Sequence, residues 1–214
     1  MSMERFRLLS VILFAVLLIM GGCALMGKGT QQPTKSYVLH SLYSEETKPQ
    51  PVTDLHDAGI LVGPIRMALY LDRSDVVIRN SQNKIEIADF SMWAGPLREN
   101  FSRVLAENIS VLLATDRVGI FPGSTATPFD YNVHLNVTRF DGTPGGKTNL
   151  RARWVILDKT RKKILFEKHS LLSQTTDGDS IEAMVAAQSQ TVVDLSREIA
   201  EAIKALSEGK KPGK

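Results

Sequence analysis

The sequence predicts an α+β domain: a mostly antiparallel sheet of about seven strands with two amphipathic helices packed on one face. Three observations carry this expectation. Apolar residues recur at three and four residue spacing over 97–112 and again over 181–206, the period of a helix with one buried face. Short segments with period-two alternation, or compact apolar runs ended by turn residues, come in groups around the first of these stretches. A hydrophobic content of 43% beside 23% charged residues is that of a chain with a packed core.

The N-terminus has a different organisation. Arg5 and Arg7 precede about thirteen residues, Leu8 to Met20, in which only Ser10 is polar; Gly21, Gly22 and Cys23 follow. A basic head, a short apolar run and small residues make up a secretory signal peptide, and the run is shorter than the roughly 20 residues of a membrane span. Cys23 is the only cysteine, so it can neither close an intramolecular disulfide nor offer a metal more than one sulfur. Met20-Gly21-Gly22-Cys23 resembles the cleavage box of a bacterial lipoprotein, with methionine where leucine is usual. That resemblance implies cleavage before Cys23 and acylation of it, and burial of acyl chains at about 0.8 kcal/mol per methylene makes a lasting tether. The alternative is an uncleaved anchor helix with an incidental cysteine. Ala24, where an aspartate would signal inner-membrane retention, implies outer-membrane placement. The expected organisation is a signal peptide over 1–22, a lipid-anchored linker over 23–35, a periplasmic domain over 36–207 and a disordered basic tail over 208–214.

Within the body, "SYVLHSLY" alternates as a strand, and "AGILVGP" is a buried strand closed by Pro64. "DVVIRNSQNKIEIAD" reads as a hairpin turning at Asn80, Ser81 and Asn83. Gly95 and Pro96 open the first helix, whose buried face is Leu97, Phe101, Val104, Leu105, Ile109 and Leu112. "RVGIF" is a strand. "DYNVHLNVTRF", "NLRARWVIL" and "ILFEKHSLL" form a meander, the first with Val133, Leu135 and Val137 on one face. Asp179 and Glu182 start the last helix with capping-box spacing, and Val185, Gln188, Val192, Leu195 and Ile199 follow its inner face.

Reactive constellations are absent from the pattern. "DGTPGGKT" has three residues between Gly142 and Gly146 where a Walker A box needs four, and strands flank it on both sides, so it reads as a hairpin turn. "TTDGDS" lacks the spacing of a calcium loop, which leaves Asp179 as a helix cap. His40, His56, His134 and His169 are scattered; only His134 and His169, on strands that could be neighbours, suggest a two-histidine site, and metal and other cofactors are not expected. No nucleophile elbow is present. The formal charge of +3 with both signs interspersed does not point to nucleic acid. The basic turn Lys159, Arg161, Lys162 and Lys163 is a soluble hairpin end or a contact for anionic lipid heads.

One apolar stretch exceeds what a single buried face requires. "IRMALYL" holds Met67, Leu69, Tyr70 and Leu71, and Trp93 stands just before the first helix; these five are the candidate docking surface, with the core beneath the helix as the competing place for them. Several short strings resemble the PqiC (YmbA) type of ABC-transport auxiliary lipoprotein: "YVL" at Tyr37, "YLDR" at Tyr70, "FSMWAGPL" around Trp93 and Pro96, "ENFSRVLAENIS" from Glu99, "TDRV" from Thr115, "RFDG" from Arg139 and "RARW" from Arg151. They run in that family's order from about Ser36 to Leu206. The resemblance implies a non-catalytic, outer-membrane-anchored subunit facing the periplasm, docked on an MCE-domain tunnel protein and its transporter components in intermembrane lipid transport, with outer-membrane lipid held through the anchor. A ring of identical subunits would suit a tubular partner. The readings in competition are a structural lipoprotein of a pilus, secretion or lipopolysaccharide-export assembly, and a tethered hydrolase.

Overall fold

The computed structural model describes residues 3, 7, 33–42, 51–123 and 128–213; nearly all of the signal segment and linker, Cys23 included, lies outside them. The body comprises β1 (Lys35–Tyr37), β2 (Ile60–Met67), β3 (Asp75–Arg79), β4 (Ile85–Trp93), α1 (Leu97–Leu113), β5 (Val118–Ile120), β6 (Tyr131–Gly142), β7 (Lys147–Leu157), β8 (Ile164–Thr175) and α2 (Ile181–Ser207). Among the described residues the buried core lies after Pro33, in a unit that carries its own packing.

The fold is α+β, with eight strands in one mixed sheet and both helices against it. Strand β6 is the spine. Along one edge it pairs parallel with β2 and, at Gly142, with Ile78 of β3; along the other it pairs antiparallel with β7, which continues to β8. Antiparallel pairing of β6, β7 and β8 accounts for most of the bonded length, as the alternation implies. The parallel joins β1 to β4, β2 to β5 and β2 to β6 are the departure from expectation. Strands β2 and β5 are linked through α1, a connection that returns the chain in the same direction.

Helix α1 covers β2 and β5, while α2 covers β6, β7 and β8. All six residues read as the inner face of α1 are buried, and Phe101 meets Phe140 of β6 edge to face at 5.3 Å between ring centres. Removing such faces from water, at roughly 25 cal/mol per Å² of apolar surface, is what holds the layers together.

Three local expectations change. The strand over "SYVLHSLY" pairs only at Lys35–Tyr37; beyond it the His40 N–H donates to Ser189 Oγ (3.2 Å) and the Leu42 N–H to Asn108 Oδ1 (2.7 Å). Helix side chains thus satisfy a backbone that has no ladder partner. Strand β2 does not stop at Pro64 but runs on to Met67, because Gly63 (φ 107°) and Pro64 fall in a register shift between Val62 and Ile65 where no ladder N–H is needed. Ser180, not Asp179, caps α2: its Oγ accepts from the Ala183 N–H at 3.0 Å. The other end of α2 closes with Gly209 at φ 69° and Lys210 N–H donating to the Ala205 carbonyl.

Candidate functional site

The apolar run 65–71 ends in a single 3-10 turn, Leu69–Leu71, between β2 and β3. The turn is short because Ala68 donates to the Val137 carbonyl while Leu71 donates back to Ala68 (2.9 Å), which reverses the chain within three residues. The five candidate residues separate here. Leu71 and Trp93 are 1% and 4% exposed and belong to the core beneath α1, so they are not offered to a partner. Met67 and Tyr70 are half-buried against the same core. Leu69 is 90% exposed and stands alone at the tip.

What fixes that tip is a polar cluster that the sequence reading did not find. Asp141 of β6 is fully buried, and its carboxylate accepts from Tyr70 Oη (2.7 Å), Arg139 Nε (2.8 Å) and Arg79 Nη2 (2.9 Å). The Arg79 guanidinium carbon lies 5.6 Å from the centre of the Tyr70 ring. Burial by itself would raise the carboxyl, but the hydrogen bonds from Arg79, Tyr70 and Arg139 outweigh it and hold Asp141 below the ordinary carboxylate range. Burial first, and then the Asp141 hydrogen bond and charge, push the Tyr70 hydroxyl up to about 12. The cluster is therefore a neutral phenol and two cations on one anion. A second brace follows at once: the Nη2 of Arg98 of α1 donates to both oxygens of Asp72 (2.7 and 2.6 Å).

Two of the quoted strings, "YLDR" and "RFDG", thus meet in one cluster although about seventy residues separate them. The signal for Asp141 was present: inward Val133, Leu135 and Val137 give way to inward Phe140, a break of phase that marks the shift between Val137 and Arg139. Trp154 of "RARW" is likewise internal, its Nε1 donating to Ser170 Oγ at 2.8 Å, and Ser170 in turn donates to Glu198 of α2.

The other sequence candidates separate. His134 lies on β6 and His169 on β8, with β7 between them, and no metal-holding group of acids, histidines and cysteines occurs among the described residues. "TPGG" turns directly from β6 into β7, with no helix N-terminus after it. A groove of about 670 Å³ beside α1 and β5 contains Arg103 and Ser110, but Arg103 is held by Glu107 (2.8 Å) and Ser110 donates to the Thr115 carbonyl (2.7 Å). No helix among the described residues is long and apolar enough to cross a membrane. Cys23 lies outside the described residues.

Residues 37–200 match the family described as ABC-type transport auxiliary lipoprotein component. The chain belongs to that family. It is similar to the intermembrane transport lipoprotein PqiC of Escherichia coli, 25% identical over 131 residues that cover 61% of this chain and 68% of that protein. The Shigella flexneri PqiC is similar to the same extent. Among solved structures the fold is shared with an uncharacterized protein (20% identical, TM-score 0.63, covering 80% of this chain and 99% of the other) and with a Xanthomonas campestris protein (14% identical, TM-score 0.59, covering 83% and 97%). The family match runs from the last residue of β1 to most of α2, so the auxiliary lipoprotein family accounts for nearly the whole folded body, including the Tyr70–Asp141–Arg79 cluster.

Proposed function

We propose that this auxiliary lipoprotein is a non-catalytic docking subunit, moored to the periplasmic face of the outer membrane by an acylated Cys23, that joins an MCE-type tunnel protein and its transporter to that membrane during lipid transport. The observation that carries the reading is the family match across the folded body, together with its similarity to PqiC, which is named for intermembrane transport. The placement of Leu69 supports a docking role. An apolar side chain that is 90% exposed, on a turn braced from both sides by Asp141 and Arg98, loses little further entropy when a partner covers it. A homo-oligomer that repeats this knob would suit a tubular partner.

The test has two arms. Photo-crosslinking from position 69 in intact envelopes, followed by identification of the captured proteins, should yield an MCE-domain protein. Capture of pilus, secretion or lipopolysaccharide-export components instead would overturn the reading. Separately, Cys23→Ser should release the body from the membrane pellet; its retention there would speak for an uncleaved helix.

A further inference from the structure

The sheet face turned away from the helices is not a neutral solvent surface. Register places Arg66, Asn136, Arg153 and His169 in one row across β2, β6, β7 and β8, and Arg139 and Arg151 in the row beside it opposite Leu171. The acids on this face are both engaged: Glu167 by Arg153 (2.6 Å) and Asp141 in its buried cluster. The Arg66 and Arg151 side chains are exposed and make no hydrogen bond or ion pair among the described residues. At the end of the same face the β7–β8 turn carries exposed Lys159, Arg161, Lys162 and Lys163, while Asp158 is occupied by Thr160 and the turn's own N–H groups. Helix α2, on the other side of the sheet, carries Glu182, Asp194, Glu198 and Glu201 against Arg197 and Lys204, with Glu198 paired to Lys168 at 3.1 Å. A small overall charge of +3 therefore conceals a polarised body.

Apolar side chains accompany the cations. Leu171 is 71% exposed beside Arg151, and Ile164 is 54% exposed on the lip of a shallow groove of about 340 Å³ that Arg66, His134 and Arg153 also line. Burial and the nearby charges of Arg161 and Arg66 hold the His134 imidazole below its ordinary range, an independent sign of the local positive potential.

We propose that this sheet face is a second membrane contact, which lies on a bilayer containing anionic phospholipid. Guanidinium and ammonium groups take the phosphodiester headgroups, and Leu171 and Ile164 enter the headgroup and acyl boundary. Arginines with isolated protruding aliphatic residues fit an interface where charge and apolar depth alternate, whereas an acidic protein surface would leave Leu171 without a matching partner. The orientation, though not the affinity, rests on the acylated Cys23. About a dozen residues between it and β1 reach at most ~40 Å, comparable to the length of β6, so the body can lie flat beside its anchor.

The experiment uses residues 34–214, which hold the whole core, so its outcome does not depend on acylation and cannot be confused with failure of the anchor. Co-sedimentation with vesicles of phosphatidylcholine and phosphatidylglycerol is expected, with little binding to phosphatidylcholine alone and progressive release as salt is raised. Arg66→Gln and Arg151→Gln, both exposed and unpaired, should each weaken binding about fivefold, while Arg197→Gln on α2 leaves it unchanged. Equal binding to neutral and anionic vesicles, or indifference to both sheet-face variants, overturns the proposal. So does absence of vesicle binding, and crosslinks from positions 66 and 151 to an acidic protein would then reassign the face.

Discussion

Replacing Asp141 with asparagine tests the brace behind the Leu69 turn. The substitution keeps volume and shape, removes the anion, and turns an NH2 toward groups that are themselves donors: Tyr70 Oη, Arg139 Nε and Arg79 Nη2, now at 2.7 to 2.9 Å from the carboxylate. Breaking a buried charge pair by removing one partner costs about 3–5 kcal/mol. For a body of this size each kcal/mol lowers Tm by roughly 2–4 °C, so a fall of about 10 °C is expected in thermal unfolding, with a matching shift in urea midpoint. The pH profile gives an independent readout. Because Asp141 is held below the ordinary carboxylate value in the folded state, its contribution is complete above that value and disappears as pH falls through the depressed one; the variant should lack this acid limb. At the alkaline end the phenol of Tyr70 is raised from 10.0 to about 12, so the stability it contributes is full below pH 10 and is lost as pH rises toward 12. Tyrosinate absorbance, with Tyr70→Phe as the reference, should show that ionisation moving to lower pH in Asp141→Asn. A loss below about 1 kcal/mol with an unchanged Tyr70 titration would refute the reasoning, because it would mean that water already serves the two guanidiniums.

Three further outcomes follow from the same packing. Trp93→Ala should cost about 3–5 kcal/mol in urea unfolding, since the ring is 4% exposed within the core; a near-neutral effect would return Trp93 to the surface. Leu69→Asp should change stability by less than about 0.5 kcal/mol while abolishing co-purification of the partner with the anchored protein, which separates a contact residue from a structural one. Ser180→Ala should cost about 1 kcal/mol through loss of the hydrogen bond from Ala183, and Asp179→Ala close to nothing, so a thermal melt of the pair distinguishes the two possible caps.

The helices and most strands were legible in the sequence because periodicity reports burial directly. Leu97, Phe101, Val104, Leu105, Ile109 and Leu112 sit where their spacing puts them, and so do Val133, Leu135 and Val137. The candidate surface was legible only as a run. Nothing local distinguishes Leu69 at 90% exposed from Leu71 at 1%, because a three-residue turn sends neighbouring side chains to opposite environments. Asp179 and Ser180 posed a similar choice: both types cap helices, and which oxygen reaches an N–H depends on one backbone dihedral.

By itself the chain's order of residues determined a layered α+β body, its two helical faces, its turns and the family to which its strings belong, because burial periodicity and turn chemistry act over a few neighbouring positions. Only the tertiary structure decided strand direction, the union of Tyr70, Arg79, Arg139 and Asp141, and the gathering of arginines from three strands onto one face. Each of these joins residues tens of positions apart, and alternation along a strand is the same whichever way its neighbour runs.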